Sequence, residues 1–190
     1  MADEIARRLV HASGTGLPAL HLLGLTDWRT VQYLLVVGAA VALALEVIRL
    51  VVGLDWAIYD RLTREYEQDN LAGYALYLVS AAAVGLLAPE HVAIPAILML
   101  TIGDPISGLL GSGSLTKETY VLLAMFGVCT GIASFFVHWV PAVLGGLAAT
   151  AADGLKPVVA GYVLDDNLTI PPAAAAAMVA GIELVVTLSL

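Results

Sequence analysis

Asp104 is the only charged residue between Val92 and Gly111, in the stretch V-A-I-P-A-I-L-M-L-T-I-G-D-P-I-S-G-L-L-G. A carboxylate at membrane depth costs about 2.5–3.5 kcal/mol on insertion scales, so a chain that keeps one there uses it to hold a cation, a proton or a substrate. Pro105 and the glycines Gly108, Gly111 and Gly113 follow it, and glycine lets backbone approach a ligand closely. A second cluster stands near the end of the chain, in L-D-D-N-L-T-I-P-P at residues 164–172. Asp165, Asp166 and Asn167 supply oxygen ligands of the kind Mg²⁺ prefers. Pro171 and Pro172 are expected to open the next helix. The plain alternative for this run is a helix cap formed by Asn167 or Thr169.

These residues need elements to hold them, and the composition says which. Of 190 residues, 60% are hydrophobic and 13% are charged, whereas a soluble domain carries about 25% charged residues. Mean hydropathy is +0.92. The chain reads as an all-α, polytopic membrane helix bundle forming one domain over residues 1–190. A crossing helix takes about 20 apolar residues. Seven segments qualify: 8–25, 30–53, 71–88, 92–111, 118–139, 141–154 and 172–190. The first is broken by glycines. The sixth is short and is expected to continue past Pro157 through P-V-V-A-G-Y-V-L as a kinked or re-entrant piece. No secretory signal is expected, because Asp3 and Glu4 precede Arg7 and Arg8. Cys129 stands alone in an apolar segment, which excludes a disulfide scaffold.

The net charge is −8 and only two lysines occur, Lys117 and Lys156. Such an acidic, lysine-poor surface suits a halophilic source and argues against nucleic acid as a partner. Basic residues gather on the cytoplasmic side of membrane proteins. With the N-terminus inside, Arg7, Arg8, Arg61, Arg64, Lys117 and Lys156 are cytoplasmic, Arg49 lies near that face, and Arg29 is outside. Multi-pass insertion in the cell membrane follows.

That orientation brings the polar residues to one leaflet. His11, Glu46, Arg49, Asp104, Asp153, Asp165, Asp166 and Asn167 all fall toward the cytoplasmic end of their segments. Each has a structural reading as well. Glu46 and Arg49 stand at i and i+3, where they can neutralise one another or orient the arginine toward a phosphate. His21, His91 and His138 fall on the outer side and read as structural. Between Leu54 and Asn70, Trp56, Tyr59, Leu62 and Tyr66 recur at helical spacing, as an interfacial anchor or a cover over the site.

Taken in order, these motifs resemble the dolichol kinase and phytol kinase family of CTP-dependent polyprenol kinases, relatives of the CDP-lipid-forming cytidylyltransferases. The resemblance covers most of the chain and suits a haloarchaeal member. It begins with R-R-L-V-H-A-S-G-T-G-L-P at 7–18 and continues with L-E-V-I-R at 45–49, then R-E-Y-E from Arg64 and Glu65, and Gly73-Tyr74. Its most specific pieces are G-D-P-I-S-G-L-L-G at 103–111, with Ser107 where the family has alanine, and D-D-N-L-T-I-P at 165–171. The chain departs from the family after Gly113: only Lys117-Glu118-Thr119 stands where relatives carry a longer basic loop. Asp153 stands near a family glutamate.

The resemblance implies transfer of the γ-phosphate of CTP to an isoprenoid alcohol at the cytoplasmic face. Asp104, Asp165 and Asp166 would hold Mg²⁺. Arg49, Arg64 and Lys117, with Gly108 and Gly111, would meet nucleotide and phosphate. Asn167 would orient the metal-bound phosphate or the hydroxyl, and Asp166 would take the hydroxyl proton. His11, Glu46, Glu65 and Asp153 are further candidates. Two other readings share the same features. One is a cytidylyltransferase that makes a CDP-lipid from a lipid phosphate. The other belongs to a different class, a small cation-coupled carrier or an inactive membrane scaffold.

Overall fold

A computed structural model describes residues 9, 11–53, 70–111, 117–155, 158–159 and 162–188. Arg7, Arg8, Arg61, Arg64, Glu65, Gly113, Lys156 and the aromatic stretch Trp56–Tyr66 lie outside the described residues.

The apolar runs fold as seven helical rods among the described residues. These are α1 (Gly16–Leu22), α2 (Trp28–Val47, prolonged by a π-helical turn at Ile48–Val52), α3 (Gly73–Leu87), α4, α5 (Thr119–Ser134), α6 (Trp139–Gly154) and α7 (Asp166–Leu188). Helix α4 is composite, running through Glu90–Leu98, a π turn at Met99–Gly103 and Asp104–Leu110. Three rods are long and apolar enough to cross a membrane: Trp28–Val52, Glu90–Leu110 and Asp166–Leu188. At 1.5 Å per residue each reaches about 31–38 Å, against a hydrocarbon core of about 30 Å. Helices α3 and α5 are apolar but shorter.

Local chemistry sets several boundaries. Asp27 caps α2 by accepting the Thr30 N–H at 2.7 Å, and that bond holds its carboxyl below the usual carboxylate range. The first expected crossing, 8–25, is not one continuous helix. The chain turns at Gly14 and Thr15 before α1. A Cβ on Gly14 would lie 2.5 Å from the Tyr77 hydroxyl oxygen, while that hydroxyl donates to the Gly14 carbonyl at 3.2 Å. The re-entrant piece expected after Pro157 is instead a small antiparallel hairpin of β1 (Val158–Val159) and β2 (Tyr162–Val163), with Val158 opposite Val163.

Helix α7 opens six residues before the expected start at Pro172, so Pro171 and Pro172 lie within it. A proline removes the N–H that would bond the carbonyl four residues back. For Pro171 that carbonyl belongs to Asn167, and the Ser80 hydroxyl of α3 donates to it at 2.7 Å. The helix tolerates the proline because a neighbouring helix supplies the missing donor.

The core is centred on α4, which packs against α1, α3, α5 and α7. From Val92 to Leu100 its residues are buried without a break, as expected for a helix apolar on every side. Helix α2 instead exposes Tyr33, Val37, Val41 and Val47 on its outer face, a surface suited to lipid. Small residues bring the last helices together. Gly145 admits Met178, Gly181 admits the Pro141 backbone, and Gly146 lies against Thr130.

Candidate carboxylate site

Asp104 leaves the central helix directly after the π turn Met99–Gly103. Pro105 cannot donate backward and its ring crowds the preceding turn, so a local widening of the helix is its natural accommodation. Gly103 fixes that turn against α5, where an added Cβ would meet the Cys129 Sγ at 2.9 Å and the Met125 Sδ at 3.0 Å. On the other side the N-terminal segment closes over the carboxylate. His11 Nδ1 lies 3.3 Å from Asp104 Oδ2, with both side chains 14% exposed. Four residues on, the Thr15 hydroxyl donates to the Thr101 hydroxyl at 2.9 Å.

Asp153 comes to the same place from the end of α6 and is fully buried. Both of its oxygens are engaged. Lys117 Nζ donates to Oδ1 at 2.5 Å, and the Ser107 hydroxyl donates to Oδ2 at 2.7 Å. Lys117 also donates to the Ser107 oxygen at 2.8 Å. Lys117 therefore has a carboxylate partner in place. Nothing in the sequence announced the bond from the Ser107 hydroxyl to Asp153.

The Asp-Asp-Asn run divides its work. Asp165 stands immediately before α7, and its Oδ1 accepts from the Asn167 N–H at 2.9 Å and from Asn167 Nδ2 at 2.5 Å. That is helix N-capping with a carboxylate, which also suits the positive end of the helix dipole. The cap is thus Asp165 rather than Asn167 or Thr169. Asp166 is the first helical residue, and its Oδ1 accepts from the Asn167 N–H at 3.1 Å. Oxygens of Asp104, Asp153 and Asp166 all lie within 4.8 Å of one another. Asp165 is not among the three, and Asp153 is.

Glu46 and Arg49 form a separate network. Glu46 is fully buried and accepts from Arg49 Nε at 3.1 Å, Arg49 Nη2 at 2.6 Å, the Ala72 N–H at 2.9 Å and the Tyr74 hydroxyl at 2.6 Å. Arg49 Nη2 donates onward to the Asn70 carbonyl at 2.5 Å. The pair ties the end of α2 to the start of α3, as a buried ion pair with its hydrogen bonds satisfied. Gly108 lies inside the last helical turn of α4, and Gly111 ends it at φ −77° with its N–H on the Ser107 carbonyl at 3.0 Å. Neither needs the left-handed backbone that only glycine adopts easily. Away from the cluster, His21 bridges the Thr26 carbonyl at 3.1 Å and Glu90 at 2.8 Å.

Lys117 on Asp153 offsets part of the repulsion among three carboxylates this close, and a further cation or protons would offset the rest. The donors are all carboxylate oxygens, which suits Mg²⁺ or Mn²⁺ and not a thiophilic metal. The residues therefore fit a hard divalent cation. Compared with protein-family models, curated proteins and solved structures, the chain matches none.

Proposed function

We propose that this protein is a membrane-embedded phosphotransferase that moves the γ-phosphate of CTP to an isoprenoid alcohol, giving the polyprenyl phosphate and CDP. The observation that carries this reading is the convergence of Asp104, Asp153 and Asp166, oxygens within 4.8 Å of one another, from helices 4, 6 and 7. The motif resemblance to the polyprenol kinases supports it.

In this reading the chain crosses the cell membrane seven times with its N-terminus inside. The carboxylates lie at the cytoplasmic face. Asp104, Asp153 and Asp166 hold Mg²⁺, which when bound neutralises phosphate charge during transfer. Asp165 braces Asp166 by capping α7 through the Asn167 N–H. Lys117, its side chain 15% exposed, lies against Asp153 and offsets negative charge there. The Glu46–Arg49 pair ties the end of α2 to the start of α3 through the Asn70 carbonyl, the Ala72 N–H and the Tyr74 hydroxyl. The apolar helix faces seat the isoprenoid tail and keep water from the transferring phosphoryl group.

The test is an assay of purified protein with labelled CTP, Mg²⁺ and a panel of prenyl alcohols. Phosphorylated alcohol and CDP are expected, with Asp104→Asn lowering the rate by about 100-fold or more while the melting temperature holds. Release of pyrophosphate from a lipid phosphate would replace this reading with a cytidylyltransferase. Ion-dependent flux with no nucleotide requirement would replace it with a carrier.

A further inference from the structure

Residues 11–26 form a strap against α4, and it is held differently from the rods around it. Of α1 only Pro18 is buried, while Leu20, Leu22, Leu23 and Leu25 are exposed. Few buried apolar contacts make local opening inexpensive. The fixings of the strap are polar instead. At one end the Tyr77 hydroxyl donates to the Gly14 carbonyl at 3.2 Å, the Thr15 hydroxyl donates to the Thr101 hydroxyl at 2.9 Å, and His11 lies 3.3 Å from Asp104. At the other end the His21 ring meets both the Thr26 carbonyl and Glu90 at the start of α4. Between His21 and Thr26 the chain turns at Gly24, with φ 70°, where an added Cβ would meet nothing within 4 Å. A left-handed glycine in open space is suited to act as a hinge. Beneath the strap, Thr101 is fully buried and stands within one turn of Asp104. The other flanks of α4 are closed by α3, α5 and α7, whose buried residues form one apolar core with it.

We propose that residues 11–26 are a lateral gate, a strap that swings about Gly24 and admits a membrane lipid from the bilayer to the carboxylates. Hydrogen bonds between helices in a membrane are individually weak, so a few polar pins hold the strap closed and still let it open. His21 sets the closed position, because it fixes the hinge turn through Thr26 and anchors that turn to α4 through Glu90. The exposed leucines give the strap an outer surface that suits hydrocarbon in either position. That the entering lipid is a prenyl alcohol rests on the phosphotransfer reading; the gate itself requires only an apolar chain with a polar end.

Two measurements in nanodiscs test the gate. In the first, Thr101→Cys is treated with N-dodecylmaleimide, which partitions into the bilayer, and with a charged, water-soluble maleimide. Cys129, buried beside Met125 and Gly103, is the reference thiol in the same chain. Thr101→Cys is expected to react with the lipid-soluble reagent at least about tenfold faster than Cys129. Adding Glu90→Ala is expected to raise that rate at least about threefold, because losing a pin populates the open form. Glu90 stands about 16 Å along α4 from Thr101, so the strap has to carry the effect. A rate no greater than that of Cys129, or reaction with the charged reagent alone, would overturn the gate. The second measurement, hydrogen exchange, keeps Thr101 and its bond to Thr15. The Ala19 and Leu23 amides, bonded within the strap, are expected to exchange at least about threefold faster in Glu90→Ala than in wild type, with α5 and α6 unchanged. Equal exchange in the two proteins would refute the strap as a unit. Labelling without phosphoryl transfer to any alcohol would leave the gate standing and remove the kinase reading. Phosphoryl transfer with an unreactive Thr101→Cys would do the reverse.

Discussion

The Ser80 hydroxyl donates to the Asn167 carbonyl at 2.7 Å, filling the position from which Pro171 has removed a backbone donor. The bond joins α3 to the first turn of α7, and so to the segment that carries Asp166. Ser80→Ala should therefore loosen α7 at its start. A loss of about 1 kcal/mol is expected, in the range of helix-to-helix bonds in membranes. Thermal unfolding in detergent reads it directly. The double variant Ser80→Ala with Pro171→Ala should recover most of the loss, because the restored N–H serves the same carbonyl. Failure to recover would show that Ser80 acts elsewhere.

Asp153 and Asp165 should separate in their effects. Asp153→Asn removes a charge from the cluster and is expected to weaken Mn²⁺ binding by at least about tenfold. Asp165→Ala removes a helix cap and should cost about 1 kcal/mol of stability, with a smaller effect on the metal. Electron paramagnetic resonance with Mn²⁺, run beside melting curves on the same preparations, distinguishes the two. Equal loss of metal in both variants would mean that Asp165 also ligates.

Lys117 occupies Asp153 Oδ1, close to where a divalent cation would draw on the same carboxylate. Lys117→Met should leave that buried charge without its partner and destabilise the protein in EDTA by about 3 kcal/mol. Millimolar Mg²⁺ should restore much of the loss, so the stabilisation by Mg²⁺ is larger in the variant than in wild type. If Lys117→Met melts like wild type in EDTA, the ion pair is not a stabilising element.

Gly146 and Gly127 make a paired test of helix packing. A Cβ at Gly146 would collide with Thr130, including its backbone nitrogen at 3.0 Å, whereas a Cβ at Gly127 meets nothing within 4 Å. Gly146→Ala is expected to cost about 1–3 kcal/mol through overpacking between α5 and α6. Gly127→Ala, inside α5, should be neutral or slightly stabilising, because alanine is the better helix former. Both follow from melting temperatures, and a destabilising Gly127→Ala would show that this face is covered in the membrane.

Much of this arrangement was legible in the residues alone. The apolar runs already specify helices, since backbone in lipid must satisfy itself. Asp104 announced itself as the only charge in a run of twenty apolar and small residues, and His11, Asp153, Asp166 and Asn167 were marked by their rarity at membrane depth. What the residues could not disclose were partnerships across distance. Lys117 and Asp153 stand 36 residues apart, and Ser80 and Asn167 stand 87 apart. Such contacts depend on which helices pack side by side, and an apolar face carries no address for its neighbour. The meeting of Asp153 with Asp104 and Asp166 has the same origin. Two adjacent aspartates at a helix start project in different directions, so one caps the helix while the other turns into the bundle, and only the position of the first helical turn decides which. The sequence by itself determined an all-helical chain with rods long and apolar enough to cross a membrane. Tertiary packing alone decided which of its polar residues meet.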